Sequence, residues 1–153
     1  MRSFLSALFF LLLPLTLSGC LKTQDVEKTR TESASFLSQN AKKPGVKVTA
    51  SGLQYEVLKE GQGSRPAASD RVRVNYRGQQ IDGQEFDSGE GIEFSLLQVI
   101  PGWTEGLQLM PEGSRYRFFI PAELAYGDQG AGRAIPPGAA LIFEVDLVKV
   151  NPN

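Results

Sequence analysis

The sequence predicts an α+β domain made of several antiparallel strands and one short helix. Apolar and polar residues alternate with a period of two in segments such as 71–77 and 141–147, a pattern typical of strands with one buried face. Trp103, Leu107 and Met110 instead follow one another at spacings of four and three residues, which places them on one face of a helix. The chain has 153 residues and no internal repeat, so we expect one folded domain with short extensions.

Residues 1–19 have the composition of a secretion signal. A positive charge at Arg2 precedes an apolar run that ends in small residues and is too short for a stable membrane span. The sequence Leu-Ser-Gly-Cys at residues 17–20 resembles the bacterial lipobox, which implies cleavage before Cys20 and anchoring through two or more acyl chains. Leu21 stands where an inner-membrane retention signal would favour Asp, so the outer membrane is predicted. The alternative is an ordinary cleavable signal with a coincidental cysteine.

The next stretch, residues 20–51, is predicted to be a polar tether. Apolar residues are sparse there, and Ser, Thr, Lys and Gln dominate. Flexible chain of this length would reach roughly 30 Å and would hold a small domain clear of a bilayer. The alternative is a weak helix over residues 27–41, whose large apolar residues are Phe36 and Leu37. Two such residues are too few for a helical seam between chains, so a monomer is predicted.

Four segments are predicted to be strands because each places apolar residues at alternate positions. Their inward residues are Leu53, Tyr55 and Val57; Val72, Val74 and Tyr76; Tyr116, Phe118 and Ile120; and Leu141, Phe143, Val145 and Leu147. Residues 81–84 supply a hairpin turn, after which another strand begins at residues 85–88 and a short loop follows at 89–91. Glycine and proline bar regular structure from residues 127–139. The folded domain is therefore predicted over residues 52–151.

The helix is predicted to begin at Pro101, because proline is tolerated at a position whose N–H has no intrahelical partner. Pro111 and Gly113 are predicted to end it after about two and a half turns. A helix this short is marginal in water and needs a surface to pack on. Its apolar face carries Trp103, the one tryptophan of the sequence.

The composition excludes several kinds of catalysis. The sequence contains no histidine and one cysteine, which excludes nucleophiles activated by histidine, histidine-ligated metals and a disulfide within the domain. A Ser–Lys pair stays formally possible, but nothing singles one out. With 16 Lys+Arg against 17 Asp+Glu, the formal charge of −1 does not favour nucleic acid as a partner. No metal and no cofactor are predicted.

Aromatic residues near turns indicate an apolar pocket with a polar rim. Tyr76 and Tyr126 each lie close to a glycine at the end of an element, and Asp87 directly follows Phe86. Any one of the aromatic residues is more simply explained as part of the core. A carboxylate and phenols beside an aromatic cluster, however, are typical of a site that binds an apolar ligand in a fixed orientation.

The chain resembles the FKBP-type peptidyl-prolyl cis-trans isomerases, and the nearest subgroup is that of the macrophage infectivity potentiator-like bacterial lipoproteins. The resemblance rests on the ordered motifs VRVNYRG, DGQEFDSG, VIPGWTEGLQLMPEGSR, LAYG and AIPPGAALIFEVDLVKV. It spans roughly residues 52–150, nearly all of the predicted folded part. It implies a bent antiparallel sheet of four to six strands wrapped around the short helix, with a prolyl-binding cleft between them.

The resemblance also implies roles for individual residues. Trp103 would form the floor of the cleft, and Asp87 and Tyr126 would form its polar rim; these are the implied catalytic residues. The implied walls are Tyr76, Phe86, Val99, Ile100, Ile135 and Phe143. The backbone N–H of Ile100 would donate a hydrogen bond to a substrate carbonyl.

The implied function is isomerisation of prolyl bonds in exported proteins by an enzyme anchored in the cell envelope through Cys20 and facing the periplasm. Its implied partners are proline-containing peptides, unfolded exported proteins and macrolides such as rapamycin or tacrolimus. Ala131, Arg133 and Ala134 stand where eukaryotic members have His, Gly and Ile, and Ile92 replaces a wall phenylalanine, which weakens the expectation for macrolides. Two alternatives are a non-catalytic binding module or chaperone, and a surface virulence lipoprotein.

Overall fold

The computed structural model describes residues 18–152. The helices and strands in this part of the chain are α1 (Ser18–Asn40), β1 (Val46–Val48), β2 (Gln54–Lys59), β3 (Arg71–Gln80), β4 (Glu85–Ser95), α2 (Pro101–Leu107), β5 (Arg115–Ile120) and β6 (Leu141–Val150). Two 3₁₀ turns, Ala122–Leu124 and Gly127–Gln129, lie between β5 and β6. Most of the predicted signal peptide, together with the Cys20 side chain, lies outside what is described. None of the described helices is long and apolar enough to cross a membrane.

The strands form one antiparallel sheet in the order β1-β2-β5-β6-β3-β4. The predicted alternation is confirmed, because Val72 and Val74 on β3, Phe118 on β5 and Val145 on β6 are fully buried. These residues share one core with Trp103 and the rest of the apolar face of α2. The predicted α+β fold, a sheet packed around one short helix, is therefore confirmed.

Helix α2 begins at Pro101 as predicted but is shorter than predicted, ending at Leu107. Met110 lies beyond it in a tight turn, where its N–H donates to the Leu107 carbonyl, and it is fully buried. The helix sits directly on β5: a Cβ at Gly106 would lie 2.7 Å from Cε1 of Phe118. Such close packing explains how a helix of seven residues is held in place.

The predicted loop at residues 89–91 is wrong, because β4 continues through it to Ser95. The partners of Val74 and Tyr76 are Ile92 and Gly89, so β4 carries one extra residue at this point. This is a β-bulge, which bends a strand without ending it. Gly91 has a φ of 63°, a conformation that glycine adopts readily. The glycines that indicated a loop therefore mark a bulge.

Helix α1 corrects the predicted flexible tether. Its last turns contact the outer face of the sheet, where the ring of Phe36 lies 6.0 Å from that of Phe119. Gln54 Nε2 donates to the Leu37 carbonyl at 2.8 Å, and Asn40 Nδ2 donates to Gln54 Oε1 at 3.0 Å. These contacts bury Gln54, which the alternation places on the outer face. The polar composition did not predict this helix, because the helix packs on the sheet through side-chain hydrogen bonds and one aromatic contact, and not through an apolar face. The division of the chain at residues 20, 52 and 151 stays a prediction.

The connection between β1 and β2 holds α2 from its outer side. Thr49 Oγ1 and Ser51 Oγ each donate to the Glu105 carboxylate at 2.6 Å. Hydrogen bonds to an ionised carboxylate are stronger than those between neutral groups. Strand β1, which was not predicted, therefore brings an edge hairpin against the helix that carries Trp103.

Candidate functional site

A cleft of about 370 Å³ opens between the N-terminus of α2, the inner face of β3, β4 and β6, and the loop that follows β5. It is lined by Tyr76, Asp87, Phe94, Gln98, Val99, Ile100, Trp103, Tyr126 and Phe143. Strand residues supply one wall and the segment entering α2 supplies the other. The lining is mainly aromatic and aliphatic, with a carboxylate and two phenols, which suits an apolar ligand that also needs orienting.

The floor of the cleft is the indole of Trp103, which is 4% exposed. Tyr76, Phe94 and Phe143 surround it, each with a ring centroid 5.3 Å away and each meeting it edge to face at 79–85°. Edge-to-face aromatic pairs add about 0.5–1.5 kcal/mol each beyond the area they bury. Among the described residues, nothing accepts a hydrogen bond from the buried Nε1–H of Trp103. The floor is thus rigid and largely apolar.

The rim carries a hydrogen-bonded pair of polar side chains. Tyr76 Oη donates to Asp87 Oδ2 at 2.8 Å. The two residues lie on neighbouring strands, where Asp87 is opposite Gly78. A Cβ at Gly78 would lie 2.7 Å from both the Phe143 and the Phe86 rings, so glycine allows these rings to approach β3. Asp87 itself is exposed, which leaves its second oxygen at the cleft mouth.

The hydroxyl of Tyr76 stays protonated well beyond neutral pH. Burial, the hydrogen bond to Asp87 and the negative charge of that carboxylate raise the pKa of Tyr76 to about 12. A phenol with a raised pKa stabilises the fold fully below its unfolded pKa of about 10, and this contribution is lost as the pH rises through about 12. The Tyr76 phenol is therefore a hydrogen-bond donor throughout the physiological range.

We expect the Tyr76→Phe variant to lose a late tyrosine ionisation. The difference in absorbance at 295 nm between wild type and variant during an alkaline titration should have its midpoint near pH 12, because the folded protein resists removal of this proton. A midpoint near pH 10 would contradict the assigned environment. Tyr116→Phe, which lies away from the cleft, is the positive control for the method. Its difference titration should also have a midpoint near pH 12, since burial raises the pKa of Tyr116 to about 12.

Ile100 enters α2 with backbone atoms facing two different environments. Its carbonyl accepts hydrogen bonds from the N–H groups of Trp103 at 2.9 Å and Thr104 at 3.2 Å. Its own N–H donates to no acceptor within the described part of the chain. The residue has an extended conformation, as expected before Pro101. The role that the resemblance implies for this N–H stays a prediction.

The structure brings most of the predicted site residues together. Those that line the cleft are Tyr76, Asp87, Val99, Ile100, Trp103, Tyr126 and Phe143. Phe86 does not line it and instead packs edge to face against Phe143, with ring centroids 5.5 Å apart. Ile135 is a buried member of the core, 5% exposed. Phe86 therefore supports one wall residue, and Ile135 belongs to the same core cluster as Trp103 and Phe143.

Two further lining residues, Phe94 and Gln98, were not predicted as part of the site. Phe94 faces the core beside Tyr76, and its pairing with Val72 across β3 and β4 is the signal that could have indicated it. Gln98 lies in the turn before α2 and is exposed. No periodic pattern identifies a residue in such a turn.

The outer face of the sheet has a different character. A depression of about 400 Å³ there is lined mostly by charged and polar residues. Arg115 makes two hydrogen bonds to Asp146, and Arg117 bridges Glu56 and Glu144 across three strands. Because these charges satisfy one another, the inner cleft is the better candidate for binding an apolar ligand.

Comparison with known sequences identifies related families. The family described as FKBP-type peptidyl-prolyl cis-trans isomerase matches residues 62–148. A second family, described as the domain amino terminal to FKBP-type peptidyl-prolyl isomerase, matches residues 20–57. The latter range includes most of α1, so this part of the chain also resembles a known family.

Individual relatives agree with this assignment. The FKBP-type isomerase FkpA of Aeromonas hydrophila is 51% identical over 131 residues, which are 83% of this chain and 48% of that protein. The outer membrane protein MIP of Legionella longbeachae is 48% identical over 128 residues, 81% of this chain and 55% of that protein. The crystal structure of an isomerase from Pseudomonas syringae pv. tomato aligns with a TM-score of 0.80 and 40% identity, covering 83% of this chain and 96% of that one. The chain thus spans about half the length of these two curated relatives.

Proposed function

Because the chain belongs to the family of FKBP-type peptidyl-prolyl cis-trans isomerases, we propose that it catalyses rotation about the peptide bond that precedes a proline residue. The observation that carries the proposal is the cleft itself: an aromatic floor at Trp103 under a rim where Tyr76 donates to Asp87. A prolyl ring binds to an apolar surface, and the peptide groups that flank it need hydrogen-bonding partners.

The reaction suits the chemistry of these side chains. Rotation about an X–Pro bond breaks no covalent bond, so it needs no nucleophile. The barrier, about 18–20 kcal/mol, comes from amide resonance, which gives the C–N bond partial double-bond character. Water stabilises the charge-separated resonance form by hydrogen bonding, and transfer of the bond into an apolar cleft removes that water. A cleft that fits the twisted bond better than either planar isomer then lowers the barrier.

Six of the lining residues contact the substrate directly in this proposal. The prolyl ring rests on Trp103, between the side chains of Val99 and Phe143. The N–H of Ile100 donates to a substrate carbonyl. Asp87 and Tyr126 orient the peptide at the rim without exchanging protons, since rotation moves no proton between atoms of the substrate.

An isomerisation assay with a cis-prolyl tetrapeptide and the purified full-length protein tests this function. We expect a rate above that of the uncatalysed reaction and competition by rapamycin or tacrolimus. Folded protein that binds the peptide without accelerating its isomerisation would instead support the non-catalytic binding module or chaperone. The proposed natural substrates are proline-containing segments of exported proteins.

The proposal extends to location and assembly. We place the protein in the cell envelope, at the outer membrane and facing the periplasm, anchored by lipidated Cys20. The lipobox sequence supports this, as does the name of the Legionella longbeachae relative, outer membrane protein MIP. We also propose a monomer, because Phe36, one of the few apolar residues of α1, is engaged by Phe119. A dimer mass in sedimentation at micromolar concentration would contradict this.

We expect the Cys20→Ser variant to lose its lipid and to leave the membrane fraction, because the serine hydroxyl cannot replace the thiol that carries the diacylglycerol. Metabolic labelling with a radioactive fatty acid measures the lipid, and fractionation measures the location. Ser18→Ala is the matched control, since it keeps a small residue and the cysteine. Label retained by Cys20→Ser would show that the lipobox assignment is wrong.

A further inference from the structure

Helix α1 contacts the domain a second time, at the loop that follows the cleft residue Tyr126. Arg30 Nε donates to Asp128 Oδ1 at 2.9 Å, and its Nη2 contacts the other carboxylate oxygen. The planar guanidinium therefore engages the carboxylate through two parallel contacts. The hydrogen bond from Arg30 lowers the pKa of Asp128, so the carboxylate is charged at neutral pH. Asp128 lies in the 3₁₀ turn Gly127–Gln129, which begins directly after Tyr126.

The same helix also holds the far end of this loop. Ser33 lies one turn beyond Arg30 and is 5% exposed. Its Oγ accepts a hydrogen bond from the N–H of Ala140 at 2.9 Å, and Ala140 directly precedes β6. A buried N–H without a partner costs about 1–3 kcal/mol, so Ser33 satisfies a group that the loop leaves unpaired.

Between these two contacts the loop closes on itself under the helix. The N–H of Gly138 donates to the carbonyl of Gly127 at 2.9 Å, which joins the start of the loop to its end. A Cβ at Gly138 would lie 2.7 Å from Cγ of Arg30, so the arginine stem rests on the glycine. Helix α1 therefore contacts both sides of this closure, with Arg30 bridging them.

We propose that α1 is a positioning element of the cleft, in which Arg30 and Ser33 hold the loop 127–140 and thereby fix the position of Tyr126. This inference rests on the proposed function, because Tyr126 forms part of the substrate rim. Tyr126 is 41% exposed and is followed directly by the loop, so its position depends on the turn that Arg30 holds. The helix thus belongs to the binding unit.

Kinetics of the full-length Arg30→Ala variant test the proposal. We expect KM for a cis-prolyl tetrapeptide to rise about threefold with kcat nearly unchanged, because a looser rim weakens substrate binding. The double variant Arg30→Asp with Asp128→Arg should recover most of this loss, since it restores an opposite-charge pair. Lys28→Ala is the matched control: its ion pair, with Glu32, lies within α1. Ser33→Ala should raise KM in the same direction.

Two further measurements separate failure of this inference from failure of the proposed function. Hydrogen exchange over residues 126–140 should quicken in Arg30→Ala and not in Lys28→Ala. Quicker exchange with unchanged KM, or exchange equal to that of the wild type, would overturn the positioning role. The Kd of a proline peptide, followed by Trp103 fluorescence, gives the same comparison without turnover. A wild type that binds but does not isomerise refutes the proposed function alone; one that does neither refutes both.

Discussion

Replacing Asp87 by leucine is expected to lower kcat/KM for a cis-prolyl tetrapeptide at least about tenfold, equivalent to roughly 1.4 kcal/mol of transition-state binding. The carboxylate accepts a hydrogen bond from Tyr76 Oη at 2.8 Å and is exposed at the mouth of the cleft. Leucine removes both the acceptor and the charge at the rim. The thermal midpoint should fall by only a few degrees, because an exposed substitution outside the core rarely costs more than about 1 kcal/mol.

The control for this variant is Glu90→Leu, which removes an exposed carboxylate from the same strand but on the outer depression. Tyr76→Phe shows how much of the loss in kcat/KM depends on the Tyr76 hydroxyl, since it removes the hydroxyl and keeps the ring. If Asp87 acts only through that hydroxyl, the double variant should be no slower than the slower single variant. Full activity in Asp87→Leu, together with a wild type that rapamycin does not inhibit, would refute the assigned site.

The sequence predicts the sheet and α2 well because their signals are local. Val72 and Val74 alternate with charged residues, so the buried face of β3 follows from the pattern alone. Trp103 and Leu107 share one helical face, and Pro101 marks where the helix begins. In each case the information lies within a few residues along the chain, where periodicity can reveal it.

Local sequence patterns do not predict the docking of α1, because the residues that it contacts are distant along the chain. Ser33 bonds to Ala140 across 107 positions, and Arg30 bonds to Asp128 across 98. A polar helix of low amphipathicity has no apolar stripe to indicate what it packs against. The helix forms because particular side chains meet particular backbone and side-chain groups of the folded sheet, and tertiary contacts of this kind override local composition.

In the candidate site, too, sequence motifs indicate some features and tertiary packing determines the others. The structure places Trp103, Asp87 and Tyr126, which the resemblance implies as catalytic residues, in one cleft, and their roles stay predictions. Phe86 packs against Phe143 and Ile135 is buried in the core, and neither is among the residues that line the cleft. Whether a residue lines a cleft or packs beneath it depends on side-chain rotations that sequence spacing does not contain. The packing of the aromatic rings against one another determines which of their atoms remain accessible to a ligand.

The second large effect is expected for Trp103→Ala, which should cost about 3–5 kcal/mol in the free energy of unfolding as well as activity. The indole is 4% exposed and three rings meet it edge to face at 5.3 Å, so truncation leaves a cavity that a packed core cannot fill. Urea unfolding of wild type and variant measures the loss. Loss of activity alone would be ambiguous, because an unfolded variant is also inactive.

Two companion variants remove that ambiguity. Leu107→Ala removes a fully buried residue from the same helix without touching the cleft, so it should cost about 2–5 kcal/mol but keep kcat/KM wherever circular dichroism shows it folded. Trp103→Phe keeps an aromatic floor and removes the buried N–H that has no acceptor in the described chain, so it should be the milder change at this position. If folded Trp103→Ala isomerises as fast as folded Leu107→Ala, the indole belongs to the core alone and substrate does not rest on it.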